Sequence, residues 1–310
     1  MILVAIPGVA LAVVSLAAFL GRWVWWLDVL ANFRAQYVVG LAVFGLVTLM
    51  SRWRRTGYAI LAVGLINLVI VLPLYVGAPA EAAVEAETIR VMSFNLLSTN
   101  ESYSDVIEYI ATVDPDLVLL HEASRPWEVA IESAGLDYQI IRPRSDDLIF
   151  GTLVLVRGED VEAISYGFAA ASPRAVSLSY VPPGWSTELG VLGIHPLAPT
   201  DEERAKLRNA QLDFAAEWGS GQDGAYLVVG DFNATPWSYP FRNLLATADL
   251  ANSQVGFGLQ PSFSANSNLL LRVPIDHLVH SPSLEVTNRQ LGPELGSDHF
   301  PLIVDLQVAS

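Results

Sequence analysis

The sequence predicts an α/β protein in which three transmembrane helices precede a mixed-sheet domain. The chain is 52% hydrophobic with a mean hydropathy of +0.41, which is too apolar for an ordinary soluble protein of 310 residues. The excess lies in residues 1–76, which are almost wholly apolar. From residue 88 onward, short apolar runs rich in β-forming residues alternate with helical patterns, which favours sheets packed inside and helices outside.

Three apolar stretches occur in this first part of the chain, at about 1–20, 35–51 and 58–76. At roughly 1.5 Å per residue, the first and third can each cross a hydrocarbon core about 30 Å thick, and the second can do so with snorkelling arginines. A cleaved signal peptide is the alternative for the first stretch. Pro7, Gly8 and the lack of a basic start favour a retained helix.

A segment rich in tryptophan and charge, residues 21–36, separates the first two stretches. Trp23, Trp25 and Trp26 lie between Arg22 and Asp28, and this mixture of indole rings and charge is typical of a membrane–water interface. The segment is either an interfacial connector or, through residues 22–34, a docking surface for a membrane-protein partner.

The orientation follows from the loop 51–57, which carries three arginines. Short loops rich in Lys and Arg stay on the cytoplasmic side. We therefore expect a multi-pass protein of the cytoplasmic membrane whose third helix delivers the following domain to the extracytoplasmic face. The expected boundaries are 1–76 for the membrane anchor, 77–87 for a linker that extends at most about 40 Å, and 88–310 for the folded domain.

The net charge of the chain also changes sign at the boundary between the membrane anchor and the linker. Of the 17 Lys and Arg residues five precede Gly77, and of the 32 Asp and Glu residues one does, so the net charges are +4 before Gly77 and −19 from there on. Nucleic-acid affinity comes largely from basic residues that neutralise phosphates, so a nucleic-acid partner is disfavoured. The absence of cysteine excludes disulfides, thiolate catalysis and Cys-ligated zinc.

Alternating and apolar patterns place the elements of the folded domain. Helices are predicted from residue 102 or 104 to 113 and over 124–134, 200–218 (with Thr200 and Glu203 as a capping box) and 241–248. Strands are predicted over 88–97, 116–121, 138–142, 149–157, 161–169, 175–180, 189–195, 226–230, 275–280, 284–290 and 299–306.

Eight polar residues stand out because they lie at or near the ends of these apolar strands. They are Asn95, Glu122, His195, Asp231, Asn233, Asp276, Asp298 and His299. Strand ends that meet at one edge of a sheet form a concave site on a rigid scaffold. This placement predicts that the eight residues share one site.

Each of these residues also has a simpler interpretation. Glu122 is either a solvated carboxylate or a ligand of a hard metal ion, and Asn95 is either a ligand or a turn former. Asp231 and Asn233 either address one small ligand or form an Asx-turn.

The histidines also have more than one interpretation. His299 beside Asp298 could take a proton from water or cap a loop, and Asp276 could accept from an imidazole N–H. His195 is suited to donate to a phosphoryl oxygen. A serine hydrolase arrangement is disfavoured because no Gly-x-Ser-x-Gly elbow occurs. We interpret His121, His277 and His280 as structural.

Taken in order, six segments resemble the endonuclease/exonuclease/phosphatase superfamily. The segments are Val91-Met-Ser-Phe-Asn95, Asp116-Leu-Val-Leu-Leu-His-Glu122, Gly193-Ile-His195, Gly230-Asp-Phe-Asn233, Pro274-Ile-Asp276 and Gly296-Ser-Asp-His299. Each motif alone is weak, but the ordered set spans roughly residues 88–308 and is specific. The resemblance implies a DNase I-like four-layer α/β/β/α sandwich after the three transmembrane helices.

The resemblance also implies roles in metal-assisted hydrolysis of a phosphoester. Glu122, with Asn95 and Asp298, would hold Mg²⁺ or Mn²⁺. His299, oriented by Asp276, would be the general base. Three further residues would position the nucleophile or stabilise charge on the phosphoryl oxygens, namely Asp231, Asn233 and His195.

Within the superfamily, the membrane segment together with His195-Pro-Leu-Ala-Pro199 and Asp231-Phe-Asn-Ala-Thr-Pro-Trp237 resembles teicoplanin-resistance (VanJ-type) membrane proteins. That likeness implies a role in undecaprenyl-phosphate metabolism. One departure is Phe263, where the subgroup would have Trp, and this puts the substrate pocket in doubt.

The expected substrate is a membrane lipid or lipid-linked phosphate, because a short linker raises the effective concentration of headgroups at the site. Arg174, Trp237 and Arg272 are candidate contacts to a phosphate or sugar, although a surface ion pair or core packing would equally account for each. Two alternatives remain: an extracytoplasmic nuclease or nucleotide phosphatase, and an accessory subunit that uses the domain as a scaffold.

Overall fold

The computed structural model describes residues 2–83, 86–142, 151–168 and 175–309. Its first part, residues 2–75, is a helical segment with four α-helices: α1 (Ile2–Ala17), α2 (Trp25–Ala31), α3 (Arg34–Leu49) and α4 (Arg54–Val71). Single 3₁₀ turns follow α1 and α4. Helices α1, α3 and α4 pack together, and the short α2 lies between α1 and α3.

Two helices of this segment are long and apolar enough to cross a membrane, over Val4–Arg22 and Arg54–Tyr75. A third crossing is possible only if α2 and α3, which meet at a bend of 68°, form one span. Large apolar side chains cover the outside of these helices, as lipid-facing helices require, for example Val13, Val43 and Val69. The polar residues Ser15, Arg34 and Asn67 are buried: Arg34 donates hydrogen bonds to the Ser15 carbonyl and to Asn67 Oδ1, and Asn67 Nδ2 donates to the Ser15 hydroxyl.

The second part is a sandwich domain of two six-stranded sheets. The first sheet has the order β11-β12-β1-β2-β4-β3 and the second the order β5-β6-β7-β8-β10-β9. The strands are β1 (Thr88–Asn95), β2 (Leu117–His121), β3 (Gln139–Ile141), β4 (Leu153–Val156), β5 (Glu159–Tyr166), β6 (Ala175–Val181), β7 (Leu189–Ile194), β8 (Ala225–Asp231), β9 (Ala251–Asn252), β10 (Asp276–His280), β11 (Leu284–Leu291) and β12 (Leu302–Val308).

Two helices cover the outer face of each sheet. Helices α5 (Tyr103–Val113) and α6 (Arg125–Ser133) pack on the first sheet, around buried Phe94 and Trp127. Helices α7 (Glu202–Ser220) and α8 (Tyr239–Ala248) pack on the second, around Phe232 and Phe241. Aliphatic side chains of both sheets fill the space between them. The predicted α/β fold with two packed sheets and outer helices is therefore confirmed.

Several predicted boundaries are wrong in detail. Helix α7 starts after Asp201, whose carboxylate accepts a hydrogen bond from the Arg204 amide at 2.8 Å, and not after Thr200. His299 precedes β12 in a loop, where it forms only an isolated bridge with Phe263, because the strand starts at Leu302. The short elements α2 and β9 were not predicted, since they are too brief to show a periodic pattern.

The sandwich domain is docked on the helical segment. Asp28 of α2 forms a buried ion pair with Arg208 of α7 at 2.8 Å, and its second oxygen accepts from the Tyr239 amide at 2.8 Å. The Leu74 carbonyl accepts from two amides of the sandwich, at 3.0 and 2.7 Å. Residues 80–83, which belong to the predicted linker 77–87, are hydrogen-bonded to β11 and β12. The two parts therefore share a specific interface.

The antiparallel packing of α3 on α4 separates two ends of the helical segment. The contacts with the sandwich come from α2, from the start of α3 and from the end of α4. The turn between α3 and α4, with Arg52 and Arg54, lies at the opposite end. The basic loop and the sandwich domain are thus on opposite sides of the helices, as the predicted orientation requires.

Gly230, one residue before Asp231, has a φ of +146°, a conformation that is open almost only to glycine. A Cβ there would also collide with the Ile194 carbonyl oxygen of the paired strand. We expect Gly230→Ala to lower the free energy of unfolding by about 1–3 kcal/mol or more. Gly224→Ala is the control, because Gly224 directly precedes the same strand with a positive φ but in open space. Equal stability of the two variants, measured by denaturant unfolding in detergent, would contradict this account.

Candidate active site

Two pairs of parallel strands, one from each sheet, bring the predicted residues together. In the first sheet, β1 and β2 run parallel with Asn95 opposite His121, so Glu122 emerges beside Asn95. In the second, β7 and β8 run parallel with Ile194 opposite Gly230, so His195 emerges beside Asp231. The carboxyl ends of both pairs meet at one edge of the sandwich, the usual place for a site in sheets of this kind.

Asn95 connects the two sheets at this edge. Its Nδ2 donates to Glu122 Oε1 at 3.2 Å and to Asp231 Oδ2 at 3.1 Å, so one buried amide bridges two carboxylates. Glu122 Oε2 also accepts from the Ser98 amide at 3.0 Å. Glu122 has a φ of +55°, a conformation that is uncommon outside glycine and that often marks functional positions.

His299 and Asp276 form a buried pair. His299 Nδ1 lies 2.9 Å from Asp276 Oδ2, and its Nε2 lies 3.6 Å from Asp231 Oδ2. Asp276 starts β10, where it is opposite Asp231 in the antiparallel ladder. One ring nitrogen is therefore held by a carboxylate, while the other points toward Asp231.

Burial and the neighbouring charges shift the pKa values of His299 and Asp276 in opposite directions. Burial alone would lower the pKa of His299, but the Asp276 and Asp231 carboxylates outweigh it and raise the pKa to about 10. Burial would raise the pKa of Asp276, but the charge and hydrogen bond of His299 hold it below its usual value. Burial raises the pKa of Asp231 to about 7. In the metal-free protein at neutral pH, the proton of this pair therefore resides on the imidazole.

The remaining histidines differ in position. His195 is buried at the site, with Nε2 at 3.8 Å from Glu122 Oε1 and 3.7 Å from Asp231 Oδ2, and burial lowers its pKa to about 4. It is neutral at pH 7 and able to donate one N–H. His121, His277 and His280 lie inside the sandwich rather than in the pocket, and burial lowers the pKa of each.

Asn233 closes the loop after β8. Its amide N–H donates to Asp231 Oδ1 at 2.9 Å, so the Asx-turn that was the alternative interpretation of this pair is present. Its side chain nevertheless faces the site, where Nδ2 donates to the Pro196 carbonyl at 3.0 Å. The Asn233 carbonyl accepts a hydrogen bond from Arg208 Nη1 at 3.2 Å. The same arginine that pairs with Asp28 thus holds the loop that carries Asp231 and Asn233.

These groups surround one pocket of about 240 Å³. Asp298 lies on its wall, with one carboxylate oxygen 4.0 Å from His299 Nε2. The lining residues are Asn95, Glu122, His195, Leu197, Ala198, Arg204, Asp231, Asn233, Phe263, Asp298 and His299. The pocket gathers seven of the eight strand-end residues, and the eighth, Asp276, supports His299 from behind.

A family model described as the endonuclease/exonuclease/phosphatase family matches residues 92–299. The chain belongs to this family. It is accordingly a phosphoester hydrolase. The matched region contains every residue of the pocket.

Solved structures show the same fold. An endonuclease/exonuclease/phosphatase from Bacteroides vulgatus is 16% identical with a TM-score of 0.59, over 72% of this chain and 100% of that chain. Danio rerio TDP2 in complex with a single-strand DNA product is 15% identical with a TM-score of 0.59, over 71% and 99%. The human Nocturnin catalytic domain with bound sulfate is 19% identical with a TM-score of 0.57, over 72% and 95%. No curated protein matches the chain.

Members of the endonuclease/exonuclease/phosphatase family generally use a divalent metal ion, and the pocket fits one. Its wall carries the carboxylates of Glu122, Asp231 and Asp298, the oxygen donors that hard divalent cations prefer. Ligand atoms of Asp231, Asp276 and His299 also lie within 4.8 Å of one another. Because Asp276 and His299 already bind each other, the carboxylates on the pocket wall supply the donors that remain for a divalent ion.

Of the three predicted substrate contacts, the two that the structure describes, Trp237 and Arg272, do not line the pocket. Trp237 is buried in an apolar cluster with Val71 and Leu74 of the helical segment, so it serves the interface between the two parts. The Arg272 guanidinium donates to the Ala265 carbonyl at 2.7 Å and stacks on Phe300, so it braces a loop. Arg174 lies outside the described residues.

Arg204 is a cation of the pocket that the sequence pattern does not single out. It is the only Lys or Arg among the described residues that line the pocket, and it lies in the first turn of α7 with its side chain 45% exposed. Its position after the capping residue Asp201 could have suggested a helix start aimed at the site. Glu202 and Glu203 share that position in the first turn, so it does not single out Arg204.

Proposed function

We propose that this protein is a membrane-anchored, metal-dependent phosphoesterase that hydrolyses a phosphate ester or pyrophosphate of a membrane lipid, such as a polyprenyl pyrophosphate or a phospholipid. One observation carries the proposal. Arg208 binds both the Asn233 carbonyl in the pocket loop and Asp28 in the helical segment. This contact fixes the pocket to the helical segment. If the apolar helices cross a bilayer, the pocket is therefore held beside that bilayer.

The residues at the pocket suggest a division of roles. His299, oriented by Asp276, takes the proton of the attacking water. Asp231, whose Oδ2 faces His299 Nε2, positions that water. The N–H groups of Asn233 and His195 stabilise negative charge that develops on the phosphoryl oxygens.

Glu122 and Asp298, with Asn95, would hold the divalent cation, for which Mg²⁺ or Mn²⁺ suits an all-oxygen donor set. When bound, the cation would polarise a phosphoryl oxygen and offset the carboxylate charge that raises the pKa of His299. Substitution of Glu122 therefore weakens metal binding in our account, whereas substitution of Asp276 acts on proton transfer.

The His299–Asp276 pair predicts how the activity depends on pH. If His299 must be neutral to accept a proton, activity rises with pH through the pKa of His299, and Asp276 raises that pKa. We expect Asp276→Asn to reduce kcat and to move the acidic limb of the pH–rate profile to lower pH. The exposed Glu202→Gln variant is the control and should leave the limb in place. A limb that stays or moves upward in Asp276→Asn would contradict the role of His299.

Arg204 is the side chain we assign to a substrate phosphate, in place of Trp237 and Arg272. We expect Arg204→Ala to raise KM roughly tenfold with a smaller change in kcat, because an exposed cation binds ground state and transition state alike. Lys206→Ala, two residues further on the same helix, is the control. An equal KM for both variants would remove Arg204 from the substrate site.

We also propose that the sandwich domain lies on the extracytoplasmic face of the membrane. We assign the chain to the VanJ-like subgroup of the family. The basic turn with Arg52 and Arg54 lies at the far end of the helices from the sandwich, which supports this topology when combined with the positive-inside rule. The chain has no cysteine, so single cysteines report topology cleanly. In intact spheroplasts, a membrane-impermeant maleimide should label Glu294→Cys and leave Arg52→Cys unlabelled. The reverse pattern would overturn the orientation.

A substrate panel tests the function itself. Purified protein with Mg²⁺ is incubated with undecaprenyl pyrophosphate, phospholipids and single-stranded DNA, and the released phosphate or nucleotide is measured. We expect release from a lipid and little from DNA, since the chain from Gly77 onward carries a net charge of −19. Faster cleavage of DNA would favour the nuclease alternative. Background release on every substrate, with copurification of a stoichiometric membrane partner, would favour a scaffold that docks through residues 22–34.

A further inference from the structure

Three consecutive leucines stand exposed on the sandwich domain. Leu269, Leu270 and Leu271 are 66%, 62% and 62% exposed and form a single 3₁₀ turn in the connection between β9 and β10. We call this turn the leucine loop. No charged residue occurs between Phe263 and Leu271. A contiguous apolar projection of this kind is costly in water and marks a contact surface.

The leucine loop lies next to the start of α3. The Arg272 carbonyl, directly after the loop, accepts a hydrogen bond from Gln36 Nε2 at 2.9 Å. Gln36 lies in the first turn of α3, and the outward apolar side chains of α3 begin with Val39, which is 54% exposed. The leucine loop is therefore at the level where α3 starts its apolar, outward-facing surface.

The other end of the same connection forms a wall of the pocket. The Phe263 ring lies 4.9 Å from the His299 ring and lines the pocket. Between Phe263 and the leucine loop, the Ala265 amide donates to the Asp298 carbonyl at 2.6 Å, and the Arg272 guanidinium holds the Ala265 carbonyl. One braced segment thus runs from the pocket to the start of α3.

We propose that the leucine loop inserts into the acyl-chain region of the leaflet that faces the sandwich domain. There it holds the pocket mouth against the lipid headgroups and contacts the hydrocarbon chain of the lipid substrate. This inference rests on the proposed function for its substrate, but the insertion itself does not depend on hydrolysis. The occupant of the surface is lipid, because the loop continues the apolar exterior of α3 and contains no charge for a polar partner.

Insertion is measured directly in the full-length protein. Leu270→Cys, labelled with the fluorophore NBD, is reconstituted into phosphatidylcholine/phosphatidylglycerol vesicles. We expect a blue-shifted emission that lipids with spin-labelled acyl chains quench. Ile164→Cys is the matched control. Ile164 is 57% exposed and lies on β5. Strands β5 and β9 are the two edge strands of the second sheet, and the strands between them separate them by about 20–25 Å.

The two labels must differ for the proposal to stand. An NBD signal at Leu270 that matches the water-exposed signal at Ile164 would overturn it. A blue shift at Leu270 that acyl-chain quenchers do not reduce would also overturn it, because a protein surface would then cover the loop. Blue shift and quenching at Leu270 together with no hydrolysis of any substrate would sustain the insertion while removing the proposed function.

A kinetic measurement separates lipid access from folding. We expect Leu270→Ser to raise KM for a vesicle-embedded substrate by roughly tenfold relative to KM for a water-soluble phosphoester, because it weakens only the contact with lipid. Ile164→Ser should leave the ratio of the two KM values unchanged. An unchanged ratio in Leu270→Ser would contradict the assigned contact with the substrate chain.

Discussion

His299→Ala is expected to lower kcat by on the order of 10²-fold or more, with Mg²⁺ present and substrate saturating. The imidazole is held by Asp276 on one side and faces Asp231 on the other, so its loss removes the group that accepts the proton of the attacking water. The expected loss is in kcat rather than KM, because a proton transfer contributes only in the transition state.

The control for this variant is His280→Gln. His280 is also buried, but it lies at the opposite end of β10 from Asp276 and hydrogen-bonds the Ser281 carbonyl. We expect near-normal kcat for His280→Gln once both variants are shown to be folded. A similar loss of kcat in the two variants would mean that His299 acts through stability alone.

Arg208→Ala is expected to lower the free energy of unfolding by about 3–5 kcal/mol, because it leaves the buried Asp28 carboxylate without its cation. Both side chains of the pair are almost fully inaccessible to water. Arg208 also donates to the Asn233 carbonyl, so we expect kcat to fall as well, through a displaced pocket loop. Unfolding in detergent monitored by tryptophan fluorescence, together with the kinetics, measures both effects.

The matched control lies on the same helix. Lys206 pairs with Glu202 at 2.6 Å, and both side chains are more than 60% exposed, so Lys206→Ala should cost less than about 0.5 kcal/mol. Asp28→Ala combined with Arg208→Ala should cost less than the sum of the single variants, since no unpaired charge remains. Additive effects would show that the two residues do not form a pair in the folded protein.

Much of the site was predictable because strand ends follow directly from the sequence pattern. An apolar run that ends in a polar residue marks both a strand and the edge at which it stops, so Asn95, Glu122, His195 and Asp231 could be placed together before the fold was known. His299 was assigned to a strand, yet it lies in the preceding loop, because the short apolar run that starts there does not fix its own first residue.

The contacts between the helical segment and the sandwich could not be predicted. Asp28 and Arg208 are 180 positions apart, and each alone resembles an ordinary interfacial or surface charge. Trp237 follows the Asp231 motif closely and therefore suggested a substrate contact, although it packs against Val71 and Leu74. Pairing of distant residues is a property of tertiary structure, which local patterns do not encode.

The most direct test of the central claim is phosphate release from a polyprenyl pyrophosphate in proteoliposomes. The wild-type protein and His299→Ala are reconstituted at equal density and assayed with Mg²⁺ or with a chelator. We expect release by the wild type that requires Mg²⁺ and that falls by on the order of 10²-fold in His299→Ala. Equal release by both proteins, or release by the wild type that the chelator does not reduce, would contradict a metal-dependent phosphoesterase at this pocket.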